Sequence, residues 1–138
     1  MAKKNLQSEA CSFYGYTVLN IIEENVDDLF DAYEHEVLCT ILINHFVYNS
    51  STFKRELKKK LNKAILAMIN YCDFEPKDIF LSGDNYTKND VKKLLDETIN
   101  KLIDRNLIDY STNWLQPGLI LSARTLDIVN KEVFSYID

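Results

Sequence analysis

A chain of 138 residues, 46% hydrophobic and 27% charged, has the length and apolar content for one domain around one core, and we read residues 1–138 as a single domain. This much Leu, Ile and aromatic side chain excludes an intrinsically disordered segment, and no apolar run approaches the roughly 18 residues that a membrane-spanning helix needs. The net charge of −5 conceals a segregation: residues 1–50 hold two lysines against eight acidic residues, whereas residues 51–65 hold Lys54, Arg55, Lys58, Lys59, Lys60 and Lys63 against Glu56 alone.

The basic start, Met1-Ala2-Lys3-Lys4-Asn5, leads into no long apolar stretch and does not read as a secretory signal, so a cytoplasmic protein is expected. Cys11, Cys39 and Cys72 are odd in number and widely scattered. That argues against a disulfide framework, and their apolar neighbours predict three small core residues. Abundant Asn, Ile and Lys with scarce Gly, Pro and Ala suits coding at low GC, in a bacterium of that kind, its mobile elements, or a large DNA virus.

In chain order, the first predicted helix spans about Ser8 to Glu24, where Ala10, Phe13, Tyr14, Val18, Ile21 and Ile22 recur at helical spacing. The second starts near Asp27 as N-cap, with Asp28 and Asp31 near the positive end of its dipole. From Val37 to Val47 this helix is apolar nearly all round, which places it centrally in the core or in a subunit interface. The third is capped by Ser50 or Ser51. Phe53, Leu57, Leu61, Ala64, Ile65, Met68 and Cys72 form its inner stripe, and Arg55, Lys59 and Lys63 its outer face, with Lys60 at the border. Asp73 to Pro76 ends it, and Pro76 to Leu81 forms one short helical turn.

The next helix opens with Thr87 as N-cap and Asp90 three residues on, a variant of the capping box. Its inner edge is Val91, Leu94, Leu95, Thr98, Leu102 and Arg105. After Asn106 the apolar spacing shifts from helical to alternating. Leu107–Ser111 and Leu119–Ser122 read as two strands of a hairpin, joined through Trp114-Leu115-Gln116-Pro117-Gly118. A last helix is predicted over about Thr125 to Ile137. The fold class is therefore mainly α, about five helices with one β-hairpin.

Catalytic chemistry finds little support. His35 and Cys39 stand four apart on one helix with Asp31 a turn earlier, a spacing that places three metal-ligand types on one face. No second cluster accompanies them, and the ordinary reading is a surface histidine beside a core cysteine. Both histidines lie on one predicted helix, the sequence offers no sharp glycine turn for a nucleophile, and the chain has three glycines, too few for a phosphate-cradling loop. We expect neither an enzyme nor a cofactor.

Residues 75–122 run short helix, turn, longer helix, strand, loop, strand. The stretch Leu94 to Ile108 ends a helix in leucine, a polar pair and a Leu-Ile strand start, and Ile120 to Leu126 is a return strand running into a helix. This C-terminal half resembles a winged helix, and the length and terminal helix resemble the MarR-like branch. It departs from that pattern in a long turn before the fourth long helix and in a wing without basic residues: Tyr110, Ser111, Thr112, Asn113, Trp114 and Gln116 stand there instead.

The resemblance implies a transcriptional or replication regulator that binds DNA, dimerised so that two reading heads meet two half-sites. The second helix, with more apolar surface than one core face uses, is the expected homodimer contact. The residues that would meet DNA are Arg55, Lys58, Lys59 and Lys63 on the third helix, and Lys88, Asn89, Lys92 and Lys93 at the start of the fourth long helix. Against this, Asp96, Glu97 and Asp104 lie on the same outer face, as on any solvated amphipathic helix. The competing expectation is a non-enzymatic interaction module: an adaptor, inhibitor or viral host-directed factor. The acidic first third and a loop tryptophan acting as an anchor would serve it, although a lone loop Trp more often packs over a core edge.

Overall fold

A computed structural model describes residues 17–26, 29–80, 85–115 and 117–132. Among these the chain forms five main helices, one short helix and one two-stranded hairpin. Helix α1 is described over residues 17–26. It is followed by α2 (Ala32–Phe46), α3 (Lys54–Tyr71), the one-turn α4 (Pro76–Ile79) and α5 (Lys88–Asp104). The hairpin strands β1 (Ile108–Tyr110) and β2 (Leu119–Leu121) precede α6 (Ala123–Glu132). The mainly helical class with a hairpin after Asn106 is thus as expected. Residues 8–16 of the first predicted helix and the end of the last lie outside the described residues, as do Cys11, Asp27 and Asp28.

Helix α2 runs through the middle of the packing, against α3, α5 and β2. Val37, Leu38, Ile41 and Leu42 are buried, and so are Cys39, Thr40 and Asn44 on its other sides. The sequence allows this helix two placements, central in the core or in a subunit interface; the structure packs α3, α5 and the hairpin on it, while Ile43 and Phe46 are half-buried and Val47 and Tyr48, just past its end, are exposed. Around it close Val18, Leu19 and Ile22 of α1, Leu57, Leu61 and Ile65 of α3, and Leu95, Ile99 and Leu102 of α5. Leu107, Ile108, Leu119 and Leu121 of the hairpin and Val129 of α6 complete the core. Each buried aliphatic side chain contributes about 1.5–3 kcal/mol, so this one cluster is the main source of stability.

The caps differ in part from the predicted ones. Helix α2 starts at Asp31, whose side chain accepts from the Glu34 amide at 2.7 Å while Glu34 reaches back to the Asp31 amide at 3.3 Å. Neither Ser50 nor Ser51 caps α3. The Ser50 amide donates to the Asn44 carbonyl at 2.9 Å within the turn between helices, the Ser51 hydroxyl donates to the Pro117 carbonyl of the hairpin loop at 2.7 Å, and Phe53 takes the cap position without a side-chain bond. Thr87 and Asp90 form the predicted capping box of α5. The Ser122 hydroxyl accepts from the Thr125 amide at 3.2 Å, and α6 begins at Ala123, two residues before the expected start. Two left-handed residues stop helices: Asp73 (φ 60°) after α3, and Asn106 (φ 57°) after α5, where the Leu107 amide reaches back to the Leu102 carbonyl at 3.0 Å.

A backbone bridge ties the hairpin to the start of α3. Thr52, just before α3, exchanges both backbone hydrogen bonds with Leu119 of β2, at 2.8 and 2.9 Å. Its buried hydroxyl accepts from the Asn44 side chain at 2.8 Å, and the same amide nitrogen donates to Glu56 at 2.8 Å. This satisfies both hydrogens of a buried amide and locks the end of α2 to the start of α3. Gly118 passes directly beside this bridge at φ +123°, where an added Cβ would stand 2.7 Å from the Thr52 carbonyl oxygen. Gly118→Ala is therefore expected to destabilise the protein by about 2–3 kcal/mol, from backbone strain and from separating β2 from Thr52. Urea denaturation checks it, and a change below about 0.5 kcal/mol would show that the bridge is dispensable.

The cysteines divide. Cys39 is buried in α2, and burial, with Glu36 nearby, pushes its thiol up to about 11. Cys72 was expected in the core but is exposed, because α3 ends at Tyr71 and the left-handed Asp73 turns the chain away from the core stripe. Phe53, at the other end of that stripe, is also exposed. Brief maleimide treatment of the native protein, mapped by peptide mass, is expected to modify Cys72 and to spare Cys39. Equal labelling of the two would contradict the packing of α2.

Candidate functional site

The cations singled out in the sequence lie on α3 and on the first turns of α5, and the structure brings four of them to one place. Helix α3 packs against both α2 and α5, so its buried stripe of Leu57, Leu61 and Ile65 turns the residues between them outward. One helical stripe of that outer side carries Arg55, Lys58, Lys59 and Asn62, and it faces the start of α5 across a cavity of about 470 Å³. The opposite wall is Tyr86, Thr87 and Lys88, and the buried Val91 forms the apolar floor. Arg55, Lys58, Lys59 and Lys88 thus line a single concave surface. Among the described residues, no carboxylate is paired with any of the four.

The α5 wall is rigidly held. The Thr87 amide donates to Asp90 at 2.8 Å, and the Asp90 amide to the Thr87 hydroxyl at 3.3 Å. Tyr86 stacks on Phe80, ring centres 4.9 Å apart at 21°. The positive end of the α5 dipole opens on the same cavity, adding to the field of the side chains.

The other predicted contacts lie beside this cavity rather than in it. Lys63 follows Lys59 by one turn on α3, and Lys92 follows Lys88 by one turn on α5; Asn89 and Lys93 stand round the same helix, and all four are exposed. Lys60 belongs elsewhere: its charge acts on Glu36 and Cys39 of α2. Farther along α5 the outer face is acidic, as the sequence showed, but Asp96 lies 3.6 Å from the Lys54 ammonium, which leaves Glu97 and Asp104 as the exposed carboxylates there. Lys54 also stands 5.4 Å from the centre of the Tyr110 ring, linking the start of α3 to the hairpin. Sequence reasoning did not select Asn62, Tyr86 or Val91 for the site. Asn62 was findable, since it follows Lys58 by four residues on the same helical face; Tyr86 was not, since nothing local says which way the residue before a cap points.

The residues considered for metal binding are engaged otherwise. Asp31 caps α2 and lies 3.6 Å from Lys101, His35 lies 3.9 Å from Glu23, and Cys39 is buried. Among the described residues, no three His, Cys, Asp or Glu side chains are grouped to hold a metal ion, and no helix is long and apolar enough to cross a membrane.

The hairpin loop presents a second feature. The Asn113 amide donates to the Ser111 hydroxyl at 3.2 Å and the Leu115 amide to the Asn113 side chain at 3.0 Å, which fixes the turn. Between them Trp114 is 84% exposed and Leu115 69% exposed, so the tryptophan does not pack over a core edge as the commoner arrangement would have it. Compared with protein-family models, with curated proteins and with solved structures, the chain matches none.

Proposed function

We propose that this protein is a DNA-binding regulator of winged-helix type, with the phosphate backbone held by α3 and by the first turns of α5. The observation that carries this reading is the convergence of Arg55, Lys58, Lys59 and Lys88 on one surface at the start of α5, flanked by Lys63, Lys92 and Lys93. Phosphate neutralisation requires clustered cations, and a chain of net charge −5 is repelled by duplex DNA except where such a cluster dominates within a Debye length, about 8 Å at physiological salt. The order α4, α5, β1, loop, β2 agrees with the winged-helix resemblance. On this reading the N-terminal half of α5, with Asn89 suited to an adenine edge, enters the major groove, and the acidic second half stays outside it. A homodimer, which the resemblance implies, would set two such surfaces against two half-sites. The test is a titration with a pool of genomic duplex fragments at two salt concentrations: binding that weakens steeply with salt supports it, and no binding at low salt overturns it.

One observation favours a second reading, a non-enzymatic interaction module. Trp114 and Leu115 are presented together on a fixed loop, and a large exposed aromatic held by its neighbours is the usual anchor of a protein interface. As Trp114 is the single tryptophan of the chain, its intrinsic emission reports on this loop directly. Quenching by acrylamide that is lost when a protein partner is added, with no response to DNA, would select this reading.

A further inference from the structure

We propose that the cavity between α3 and the start of α5 is a binding site for a free nucleoside di- or triphosphate. The nucleotide binding stands on the cavity alone; only its consequence for DNA rests on the regulator reading.

Three properties point to this ligand. The first is charge. Arg55, Lys58, Lys59 and Lys88 line one cavity without a paired carboxylate among the described residues. That is more positive charge than a single carboxylate or sulfate neutralises, and it matches a chain of two or three phosphates. Guanidinium and ammonium groups supply complementary contacts, the planar fork gripping two oxygens and the lysines acting as point charges. The second is size. About 470 Å³ falls within the range of roughly 300–1,000 Å³ typical of small-molecule sites, and phosphates alone would leave much of it unfilled. The third is the uncharged part of the lining. Tyr86, kept in place by its stack on Phe80, and Val91 offer apolar surface to a base or ribose, and the Asn62 amide can both donate to and accept from a base edge. A duplex backbone on the outer faces of α3 and α5 would use Lys59 and Lys88 as well, so nucleotide and DNA compete for the same cations.

The experiment is isothermal titration of the full chain with ATP and GTP, and with inorganic tripolyphosphate, in EDTA at low salt. Three proteins are compared: wild type, the cavity variant Lys58→Ala/Lys88→Ala, and the outer variant Lys101→Ala/Lys131→Ala, which removes the same charge at positions that do not line the cavity. A nucleoside triphosphate is expected to bind wild type more tightly than tripolyphosphate does. The cavity variant should lose about tenfold or more in affinity, since two charged contacts are removed, while the outer variant should bind nearly as wild type does. Thermal melting of the unliganded variants confirms that each is folded. Absence of binding at millimolar nucleotide, equal affinity for tripolyphosphate and nucleotide, or an unchanged cavity variant would each overturn the proposal. DNA titration without nucleotide is read separately: nucleotide binding without DNA binding sinks the regulator reading and leaves the site standing, and DNA binding without nucleotide binding does the reverse.

Discussion

Replacing Lys59 and Lys63 together, Lys59→Glu and Lys63→Glu, is expected to reduce affinity for duplex DNA by on the order of 100-fold or more, and to lower the slope of log K against log salt by about two. The two side chains lie one turn apart on the outer face of α3, Lys59 in the basic cavity and Lys63 beside it, and both are exposed. Each substitution removes one phosphate contact and creates one repulsion, in a protein whose overall charge already opposes the approach of DNA. Folding should be nearly unaffected, because surface changes of this kind fall within about 0.5 kcal/mol. Anisotropy of labelled fragments at two salt concentrations, with melting curves of both proteins, reads both effects. Wild-type binding that survives the double substitution would place the DNA contact elsewhere on the surface.

Glu34→Ala is expected to cost about 3 kcal/mol of stability, lowering the melting temperature by roughly 10 °C for a chain of this size. Glu34 is nearly buried, its side chain 8% exposed, and its carboxylate lies 2.7 Å from the Arg105 guanidinium, itself 21% exposed. The arginine also lies over the Phe30 ring, 4.5 Å from its centre. Removing the carboxylate takes away the 2.7 Å partner of a partly buried guanidinium at the junction of α2 with the end of α5, and it breaks the capping box that starts α2. The double replacement Glu34→Met/Arg105→Leu should recover much of the loss, since a buried ion pair is replaceable by apolar packing whereas removing one of its two partners is costly. Calorimetry on the three proteins checks this. A single variant that melts with wild type would mean that the Glu34 carboxylate is not what holds Arg105 in place.

The pairing of Glu34 with Arg105 joins positions 71 residues apart, and nothing local to either announces it. Arg105 reads as the last residue of an amphipathic edge, and Glu34 as one acid among eight in the first fifty residues. Only the crossing of α2 over α5 makes them partners. The same holds for Asp96, which looked like a free carboxylate on the outer face of α5 until the start of α3 brought Lys54 to it.

What the sequence determined by itself was whatever depends on spacing along one element. The stripe Leu57, Leu61, Ile65, the Thr87–Asp90 box, the change of period after Asn106 and the outward cations of α3 follow from 3.6-residue and 2-residue repeats and from backbone hydrogen bonding within a few residues. Tertiary structure decided what depends on distance through space. It drew Ser50 into a turn and Ser51 to the hairpin loop instead of a cap, and it set Cys72 outside the core. The all-round apolar surface of α2 was a case the sequence left open, because a helix wrapped by its own chain and one in a subunit interface have the same residues; tertiary structure packs α3, α5 and β2 against it and leaves Val47 and Tyr48, just past its end, exposed. The basic cavity is of the same kind. Arg55 and Lys88 are 33 positions apart, and their charges reinforce each other only because α3 and α5 cross where they do.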